Sequence, residues 1–162
     1  MNPTAGRTPD APPTSAGDQT LALVKPDGVS RGLVGEILGR ALAKGYTLAA
    51  LQLRLPDRPL LEQHYAEHAG KAWFGELEAY MSSGPVVAAV LEGDRVVEGW
   101  RTLMGDKDCT LAPPGTIRGD LGRDWAHGTM ENLVHGSDSV ESAQREITIW
   151  FGAGSGSPLG SA

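Results

Sequence analysis

The sequence predicts an α+β fold in which helices cover a four-stranded antiparallel sheet. Short apolar runs, typical of buried strands, alternate with stretches whose apolar residues recur every three or four positions, as in amphipathic helices. The chain reads as strand, helix, strand, helices, strand, helix, long loop, strand and helix. Two βαβ units of this kind are typical of a ferredoxin-like split βαβ sandwich.

One folded unit is predicted over residues 19–152 of the 162-residue chain. Residues 1–18 contain four prolines among Ala, Thr, Ser and Gly, and such a segment buries too little apolar surface to fold. We therefore expect a disordered Pro/Ala/Thr-rich arm there. Residues 153–162 are predicted to form a flexible Gly/Ser tail.

The first three elements are predicted from the N-terminal third of this unit. Thr20–Val24 is an apolar run that indicates a buried strand, and the turn residues Pro26-Asp27-Gly28 end it. Apolar residues at helical spacing predict a helix over 33–42. The pair Lys44-Gly45 suits its C-terminus. Residues 46–55 alternate enough to form a second strand.

The middle of the unit is predicted to contain three helical segments and one strand. Residues 60–68 and 74–81 have helical character, and a turn rich in Ser, Gly and Pro closes the second segment. The continuous apolar run 86–91 indicates a central strand. A helix is predicted over 95–104, with its apolar residues on one side.

A long loop and two short elements complete the unit. Residues 105–130 have few apolar residues and no sustained period, and such a stretch inside a compact domain is usually functional. A last strand is predicted over 132–135. Asp138 followed by Glu141 indicates a helix start. The apolar stripe of that helix is predicted to consist of Val140, Ala143, Ile147 and Phe151.

The composition limits the compartment and the partners. A net charge of −6 disfavours a nucleic-acid partner, because the backbone of nucleic acid is anionic. The single cysteine, Cys109, allows no intrachain disulfide and fits a reducing compartment. The sequence has no secretory signal and no run of roughly 18 apolar residues. These features predict a cytoplasmic protein without a membrane partner.

His135 is the candidate nucleophile. It lies in the segment Asn132–Ser139, at a predicted strand end that precedes a helix. An imidazole is partly neutral at pH 7, so its unprotonated nitrogen can attack an electrophile. Glu146, in the following helix, is placed to orient the ring, directly or through Ser137. The local chemistry leaves open a second interpretation, in which His135 is a turn residue with a helix cap behind it.

Three basic residues stand close to predicted turns: Lys25, Arg101 and Arg118. Phosphoryl transfer depends on positioning and charge neutralisation, so it requires cations that converge from several elements. Taken alone, each of the three is better explained as a solvated surface charge, whereas three together near Gly-rich turns favour a phosphate site. The chain lacks the G-x-x-x-x-G-K-[ST] phosphate loop, which disfavours an ordinary P-loop kinase.

These residues resemble the nucleoside diphosphate kinase family over essentially residues 19–151. The blocks that carry the resemblance occur in the family's order: Thr20–Val29, Arg31–Ile37, Ser83–Val87, Pro114–Asp120 and Asn132–Ser139. The His-Gly-Ser-Asp block, with Lys-Pro-Asp-Gly upstream, is highly specific to that family.

The resemblance implies a ping-pong reaction through a phosphohistidine at His135, with ATP and other nucleoside tri- and diphosphates as substrates. It implies Mg²⁺ as cofactor, carried mainly by nucleotide phosphates rather than by a protein metal site. It assigns the phosphates to Lys25, Arg101 and Arg118, and the ribose to Lys25 and Asn132. The remaining implied roles belong to Tyr65, which holds Lys25, to Glu146 and Ser137, which orient His135, and to Trp73, which stacks on the base where the family has phenylalanine.

Two departures from the family pattern lie in the long loop. The usual phosphate-contacting threonine falls on Lys107, whose ammonium is a flexible point charge flanked by Asp106 and Asp108. The run from Arg118 to His135 is about four residues longer than usual.

The resemblance also implies a homo-oligomer, a hexamer or a tetramer, and Trp125 in a polar loop is consistent with a covered surface.

Four other interpretations compete with this one. The chain is a nucleotide-binding regulator if Lys107 and the insertion abolish turnover, or a nucleic-acid platform if the sheet exposes aromatic residues. The motif His64-Tyr65-Ala66-Glu67-His68 fits the H-x-x-E-H pattern of some zinc peptidases, but a solvated helix face explains it better. Cys109, with only Lys107 as a basic neighbour, is interpreted as incidental.

Overall fold

The computed structural model describes residues 17–123 and 131–153. Most of the predicted arm and of the Gly/Ser tail, together with Trp125, lies outside these residues. Within them, no helix has both the length and the apolar character needed to cross a membrane.

The described elements follow the predicted order closely. The strands are β1 (Gln19–Val24), β2 (Thr47–Arg54), β3 (Val86–Glu92) and β4 (Val134–Gly136). The helices are α1 (Pro26–Ser30), α2 (Val34–Ala43), α3 (Arg58–His64), α4 (Phe74–Met81), α5 (Val96–Met104), α6 (Ile117–Leu121) and α7 (Val140–Phe151), and a 3₁₀ turn covers Ala66–His68.

The four strands form one sheet in the order β2-β3-β1-β4. Every neighbouring pair is antiparallel, with Ala22 opposite Ala89 in the central pair and Leu23 opposite His135 at the β4 edge. The predicted α+β fold with a four-stranded antiparallel sheet is confirmed. Because β1 is central, the residue that follows it and the residue opposite its end on β4 lie at the same end of the sheet.

Helices cover both faces of the sheet. Side chains alternate between the faces of a strand, so Ala22 and Val24 of β1 pack with α2 and α5, whereas Leu21 and Leu23 pack with α3, α4 and α7. None of the described strands contains Phe, Trp or Tyr. A nucleic-acid platform of exposed aromatic residues on this sheet is therefore not supported.

The predicted turn at Pro26-Asp27-Gly28 is instead the start of the short helix α1. Proline occupies its first turn, where no backbone donor is needed. The Asp27 carboxylate accepts hydrogen bonds from the Tyr80 hydroxyl (2.5 Å) and from the backbone N–H of Leu133 (3.1 Å). These long-range contacts, which local sequence does not reveal, tie α1 to α4 and to the chain before β4.

The predicted long loop is also wrong in part, because it contains α6. Thr116 caps this helix by accepting a hydrogen bond from the backbone N–H of Gly119 (3.0 Å). Ile117 is fully buried in the core next to α5. One buried apolar residue per helical turn is too weak a pattern to predict a five-residue helix.

The last helix begins one residue later than predicted, and only Ala143 and Ile147 of its predicted apolar stripe are buried. Ser139, not Asp138, caps α7 by accepting a hydrogen bond from the backbone N–H of Ser142 (3.1 Å). Val140 is exposed, and the buried residues of the helix are Ala143, Glu146, Ile147 and Trp150. A carboxylate thus lies on the buried face, where an apolar pattern does not predict one.

We expect Leu91→Ala to lower the free energy of unfolding by about 2–5 kcal/mol, because Leu91 is fully buried in β3 and its loss leaves a cavity. Leu111→Ala removes the same atoms from a side chain that is 70% exposed, so a change under about 0.5 kcal/mol is expected. Urea unfolding of both variants measures the contrast, and equal losses would contradict the assigned core.

Candidate active site

A cleft of about 500 Å³ opens at the end of the sheet where β1 ends and β4 lies. Seven of the residues singled out from the sequence line it: Lys25, Tyr65, Arg101, Lys107, Arg118, His135 and Glu146. Ser137 and Asn132 are buried beside these residues, and Trp73 lies outside the lining. Folding thus brings most of the predicted site together from six separate segments.

His135 lies in the middle of β4, where its backbone is fixed from two sides. It pairs with Leu23 of β1, and its carbonyl accepts a hydrogen bond from the Trp100 indole N–H (3.1 Å). A Cβ on Gly136 would lie 2.5 Å from that indole, so only glycine allows this close packing. The backbone of His135 therefore has little freedom to move.

The ring of His135 is oriented by a buried carboxylate. Its Nε2 lies 3.2 Å from Oε2 of Glu146, and the Ser137 hydroxyl donates to the same oxygen at 2.6 Å. The Ser137 oxygen in turn accepts from the backbone N–H of Leu21 (3.2 Å). A carboxylate only accepts, so the neutral ring carries its proton on Nε2 and keeps the lone pair on Nδ1. Nδ1 is thus the ring nitrogen whose lone pair is available for attack.

The Glu146 carboxylate is ionised although it is buried. Burial raises the pKa of this carboxyl, but the hydrogen bond and charge of His135 and the hydrogen bond from the Ser137 hydroxyl oppose that effect, and the pKa is lowered to about 2. A negative charge beside Nε2 stabilises positive charge on the imidazole. The pair is therefore suited to a ring that becomes cationic during a reaction.

Lys25 brings a buried ammonium group to the cleft. Its side chain is 8% exposed, and its Nζ donates to Oδ1 of Asn132 at 2.7 Å. Burial and the charge of Arg118 lower the pKa of Lys25 to about 8, although Asp27 and Cys109 act in the opposite direction. A desolvated cation of this kind interacts strongly with an anionic ligand.

Arg118 joins three backbone segments around the cleft. Its guanidinium donates to the carbonyl oxygens of Asn132 (3.0 Å), Gly105 (3.0 Å) and Val134 (2.7 Å). These bonds connect α6 with the chain after α5 and with β4. Since a guanidinium has five N–H donors, capacity for a ligand remains. The residue predicted to bind phosphate thus also holds the cleft together.

The outer cations of the cleft are Arg101 and Lys107. Arg101 donates to the carboxylate of Asp138 at 2.7 Å, and both side chains are exposed. Lys107 is exposed, and its backbone carbonyl accepts from the Asn132 amide (2.9 Å). The neighbouring Cys109 is half-buried, and burial raises the pKa of its thiol, which disfavours the reactive thiolate.

Trp73 lies at the start of α4 and is 41% exposed. Its ring packs against His68 (centroids 5.0 Å apart), and the Lys71 ammonium lies 5.4 Å from the indole centroid. His68 itself lines the cleft, as does Tyr65, whose ring stacks on His68. Trp73 therefore borders the cleft through His68. The predicted contact between Tyr65 and Lys25 stays a prediction.

The interpretation of residues 64–68 as a solvated helix face is wrong for His64. This side chain is 4% exposed, and its ring packs edge-to-face on that of His135 with centroids 4.7 Å apart. Arg145, Glu67 and His68 also line the cleft and were not predicted. No spacing rule connects α3 with the strand of the nucleophile, so the sequence gives no signal for this contact.

His64, His135 and Glu146 are the one group in the described residues whose potential metal-ligating atoms lie within 4.8 Å of one another. Nδ1 of His64 and Nε2 of His135 already take part in hydrogen bonds, to Trp150 and Glu146 respectively, so these two atoms are not available as metal ligands. The remaining cleft carboxylates, which belong to Glu67, Asp106 and Asp138, supply the oxygen atoms that Mg²⁺ prefers. A magnesium ion held chiefly by phosphate oxygens fits this donor set.

Comparison with known proteins gives a consistent result. The profile of a family described as nucleoside diphosphate kinase matches residues 18–155. Nucleoside diphosphate kinases from Saccharopolyspora erythraea and Mycobacterium tuberculosis are each 56% identical over 135 residues, which cover 83% of this chain and 96% of those proteins.

Solved structures give the same match. The apo nucleoside diphosphate kinase of Encephalitozoon cuniculi has a TM-score of 0.82 and 38% identity, over 88% of this chain and 94% of its own. A halophilic nucleoside diphosphate kinase from Halobacterium salinarum, in complex with CDP, has a TM-score of 0.78 and 42% identity, over 83% and 88% of the two chains.

We expect the stability of the wild type relative to Lys25→Met to rise with pH. Below the folded pKa of about 8, Lys25 is charged in both states, and burial of the charge destabilises the folded state fully. Between pH 8 and the unfolded pKa of 10.5, the folded state loses this proton while the unfolded state keeps it, so the destabilisation decreases as the pH rises. The difference in unfolding free energy therefore changes in favour of the wild type by up to about 3 kcal/mol over that range. Urea unfolding at pH 7, 8.5 and 10 measures it. Lys44→Met, which removes an exposed lysine, is the control, and a pH-independent difference for Lys25→Met would contradict the argument.

Proposed function

The chain belongs to the nucleoside diphosphate kinase family, and on that premise we propose that it transfers the γ-phosphoryl group of a nucleoside triphosphate to a nucleoside diphosphate through a phosphohistidine at His135. The observation that carries the proposal is the orientation of this ring by Glu146 and Ser137 at the floor of a cleft lined by cations. The order of steps is ping-pong, because one nitrogen accepts the group before it donates it.

In the first half-reaction, Nδ1 of His135 attacks the γ-phosphorus. The N–P bond forms as the bond to the bridging oxygen breaks, and the nucleoside diphosphate leaves with that electron pair. The ring keeps its Nε2 proton and becomes cationic, and the Glu146 carboxylate 3.2 Å away stabilises this charge. In the second half-reaction, a terminal oxygen of another diphosphate attacks the same phosphorus and restores the neutral ring.

The cations of the cleft neutralise the phosphate charge. Lys25 and Arg118 reach it from buried positions, where their fields are weakly screened. Arg101 and Lys107 are exposed at the mouth. Phosphoryl transfer requires little of a protein beyond positioning and charge, so this arrangement suits the reaction.

Mg²⁺ is the proposed cofactor, and Asp106, Asp138 and Glu67 are the cleft residues able to bind it directly or through water. When bound, it would reduce the negative charge of the phosphate groups. Asn132 and Lys25 are proposed to contact the ribose, and Trp73 the base. The CDP complex of the Halobacterium salinarum protein supports nucleotide binding in this fold.

A cytoplasmic location remains a prediction from composition.

Incubation with γ-labelled ATP and Mg²⁺ is expected to give label on the protein that acid removes and base does not, as for a phosphohistidine. The labelled protein, freed of nucleotide, should then pass its label to GDP. His135→Ala should accept no label, because the substitution removes the nitrogen that is proposed to accept the phosphoryl group. Label on that variant, or none on the wild type, would refute the proposal.

The same assay tests the regulatory alternative that Lys107 and the insertion suggest. A protein of that kind would bind nucleotide but would not transfer phosphate to GDP, whether or not it accepts label. Lys107→Thr restores the family's usual residue and is the matched comparison. Full transfer by the wild type would exclude the alternative, whereas transfer that appears only in Lys107→Thr would establish it.

We also propose that the chain forms a homo-oligomer through the outer edge of β2. This strand pairs only with β3 among the described strands, and its Leu51 and Leu53, like Leu55 beyond it, are more than half exposed. Apolar side chains at an open sheet edge favour association with a second copy. The proposed assembly is a hexamer or a tetramer, as the family resemblance implies.

Light scattering after gel filtration is expected to give a mass that is a multiple of 17.0 kDa. Combined Leu51→Lys and Leu53→Lys substitution should reduce that mass, because charges at the edge oppose pairing. Leu111→Lys, at another exposed leucine, should leave it unchanged. A monomeric wild type, or an unchanged mass for the double variant, would disprove association through β2.

A further inference from the structure

His64 is a buried histidine that the proposed reaction does not use. It ends α3, and its ring lies against the rings of Tyr65, His135 and Trp150. The contact with His135 is edge-to-face, with the ring planes at 71°. Two imidazoles therefore meet at the floor of the cleft, and only one of them is oriented by Glu146.

Trp150 fixes the tautomer of His64. The fully buried indole N–H of Trp150 donates to Nδ1 of His64 at 3.2 Å. An imidazole nitrogen that accepts a hydrogen bond has no proton, so the neutral ring carries its proton on Nε2. The lone pair on Nδ1 accepts the hydrogen bond from the indole, and Nε2, which is protonated, has no lone pair available for attack. His64 is thus unable to act as a competing nucleophile.

His64 also stays neutral. Burial, followed by the charge of His135, lowers the pKa of His64 to about 3, so it remains uncharged at any pH at which the protein is expected to work. A charged ring in this place would repel the cationic ring that forms when His135 accepts phosphate. The neutral ring avoids that repulsion while it fills the space behind the nucleophile.

This arrangement has a cost in stability. Nε2 of His64 is buried without a hydrogen-bond partner among the described residues. An unsatisfied buried donor costs about 1–3 kcal/mol. A phenyl ring would remove this donor, but it would leave the buried indole N–H of Trp150 without its acceptor. Unsatisfied buried groups of this kind are rare and occur preferentially where function requires them.

We propose that His64 is a positioning residue for the nucleophile: locked by Trp150, its ring holds the imidazole of His135 in the orientation in which Nε2 faces Glu146 and Nδ1 faces the cleft. Backbone pairing fixes the Cα of His135, and Glu146 fixes one ring atom. Rotation of the ring away from that hydrogen bond is opposed by the ring of His64. The inference rests on the proposed function of His135.

The test compares two variants that separate the ring of His64 from its hydrogen bond. His64→Gln keeps an acceptor for Trp150 but removes the ring. His64→Phe keeps a ring but removes the acceptor. Single-turnover phosphorylation of His135 by γ-labelled ATP, measured over a range of ATP concentrations, gives the maximal rate and the half-saturating concentration separately.

If ring contact positions the nucleophile, His64→Gln is expected to lower the maximal rate at least tenfold at an unchanged half-saturating concentration, since small misplacements of reacting groups cost up to about 10²-fold. His64→Phe should stay within about threefold of the wild type, even with a lower melting temperature. A wild-type rate in His64→Gln, or equal rate losses in both variants, would overturn the proposal. If His64→Phe does not fold, His64→Gln decides alone.

Two measurements separate positioning from general destabilisation. Leu60→Ala, in the buried face of the same helix, should lower the melting temperature and leave the rate unchanged. The ¹⁵N shifts of His135 should show a single Nε2–H tautomer in the wild type and an averaged one in His64→Gln. A single tautomer in that variant would count against the proposal.

The same labelling measurements distinguish failure of the proposed function of His135 from failure of the proposed role of His64. Wild-type protein without label would refute the proposed function whatever His64 does. Labelled wild type with equally fast labelling of His64→Gln would refute only the role of His64.

Discussion

The ionised carboxylate of Glu146 is the constraint on which the site depends. A buried carboxylate is tolerated only with donors around it, and here they come from the Ser137 hydroxyl and the His135 ring. Ser137 is itself held by the backbone of Leu21 on β1. The charge therefore fixes α7, β4 and β1 relative to one another, and the orientation of the nucleophile follows from that arrangement.

Apart from Thr20, the buried polar side chains of the described residues lie in or beside the cleft. Lys25, Arg118 and Asn132 are buried at the same end of the sheet, although each loses hydration there. Their hydrogen bonds connect them with one another and with the loop after α5. Buried cations interact strongly with a ligand that carries several negative charges, so this end of the sheet is suited to an anionic ligand.

The sequence predicted those features that depend on local pattern. Strands β1 and β3 and helix α4 follow from apolar runs and periodicity, and the family resemblance identified seven of the residues that line the cleft. Two of the missed features depend on distant contacts. Helix α1 is stabilised by Tyr80 and Leu133 through Asp27, and His64 packs against Trp150, 86 residues away. No short window of the sequence contains such pairs. Helix α6 was missed for another reason, because a cap and one buried isoleucine are too weak a local pattern.

The departure at Lys107 is best understood from its backbone. The Asn132 amide binds the carbonyl oxygen of residue 107, and Arg118 binds that of Gly105, so main-chain atoms hold this part of the loop. A change of side chain at 107 leaves these anchors in place. Exchange of a hydroxyl for an ammonium therefore alters the charge offered at the mouth of the cleft and leaves the position of the loop unchanged. The chemistry of the buried floor, where His135, Glu146 and Ser137 meet, is insulated from that exchange.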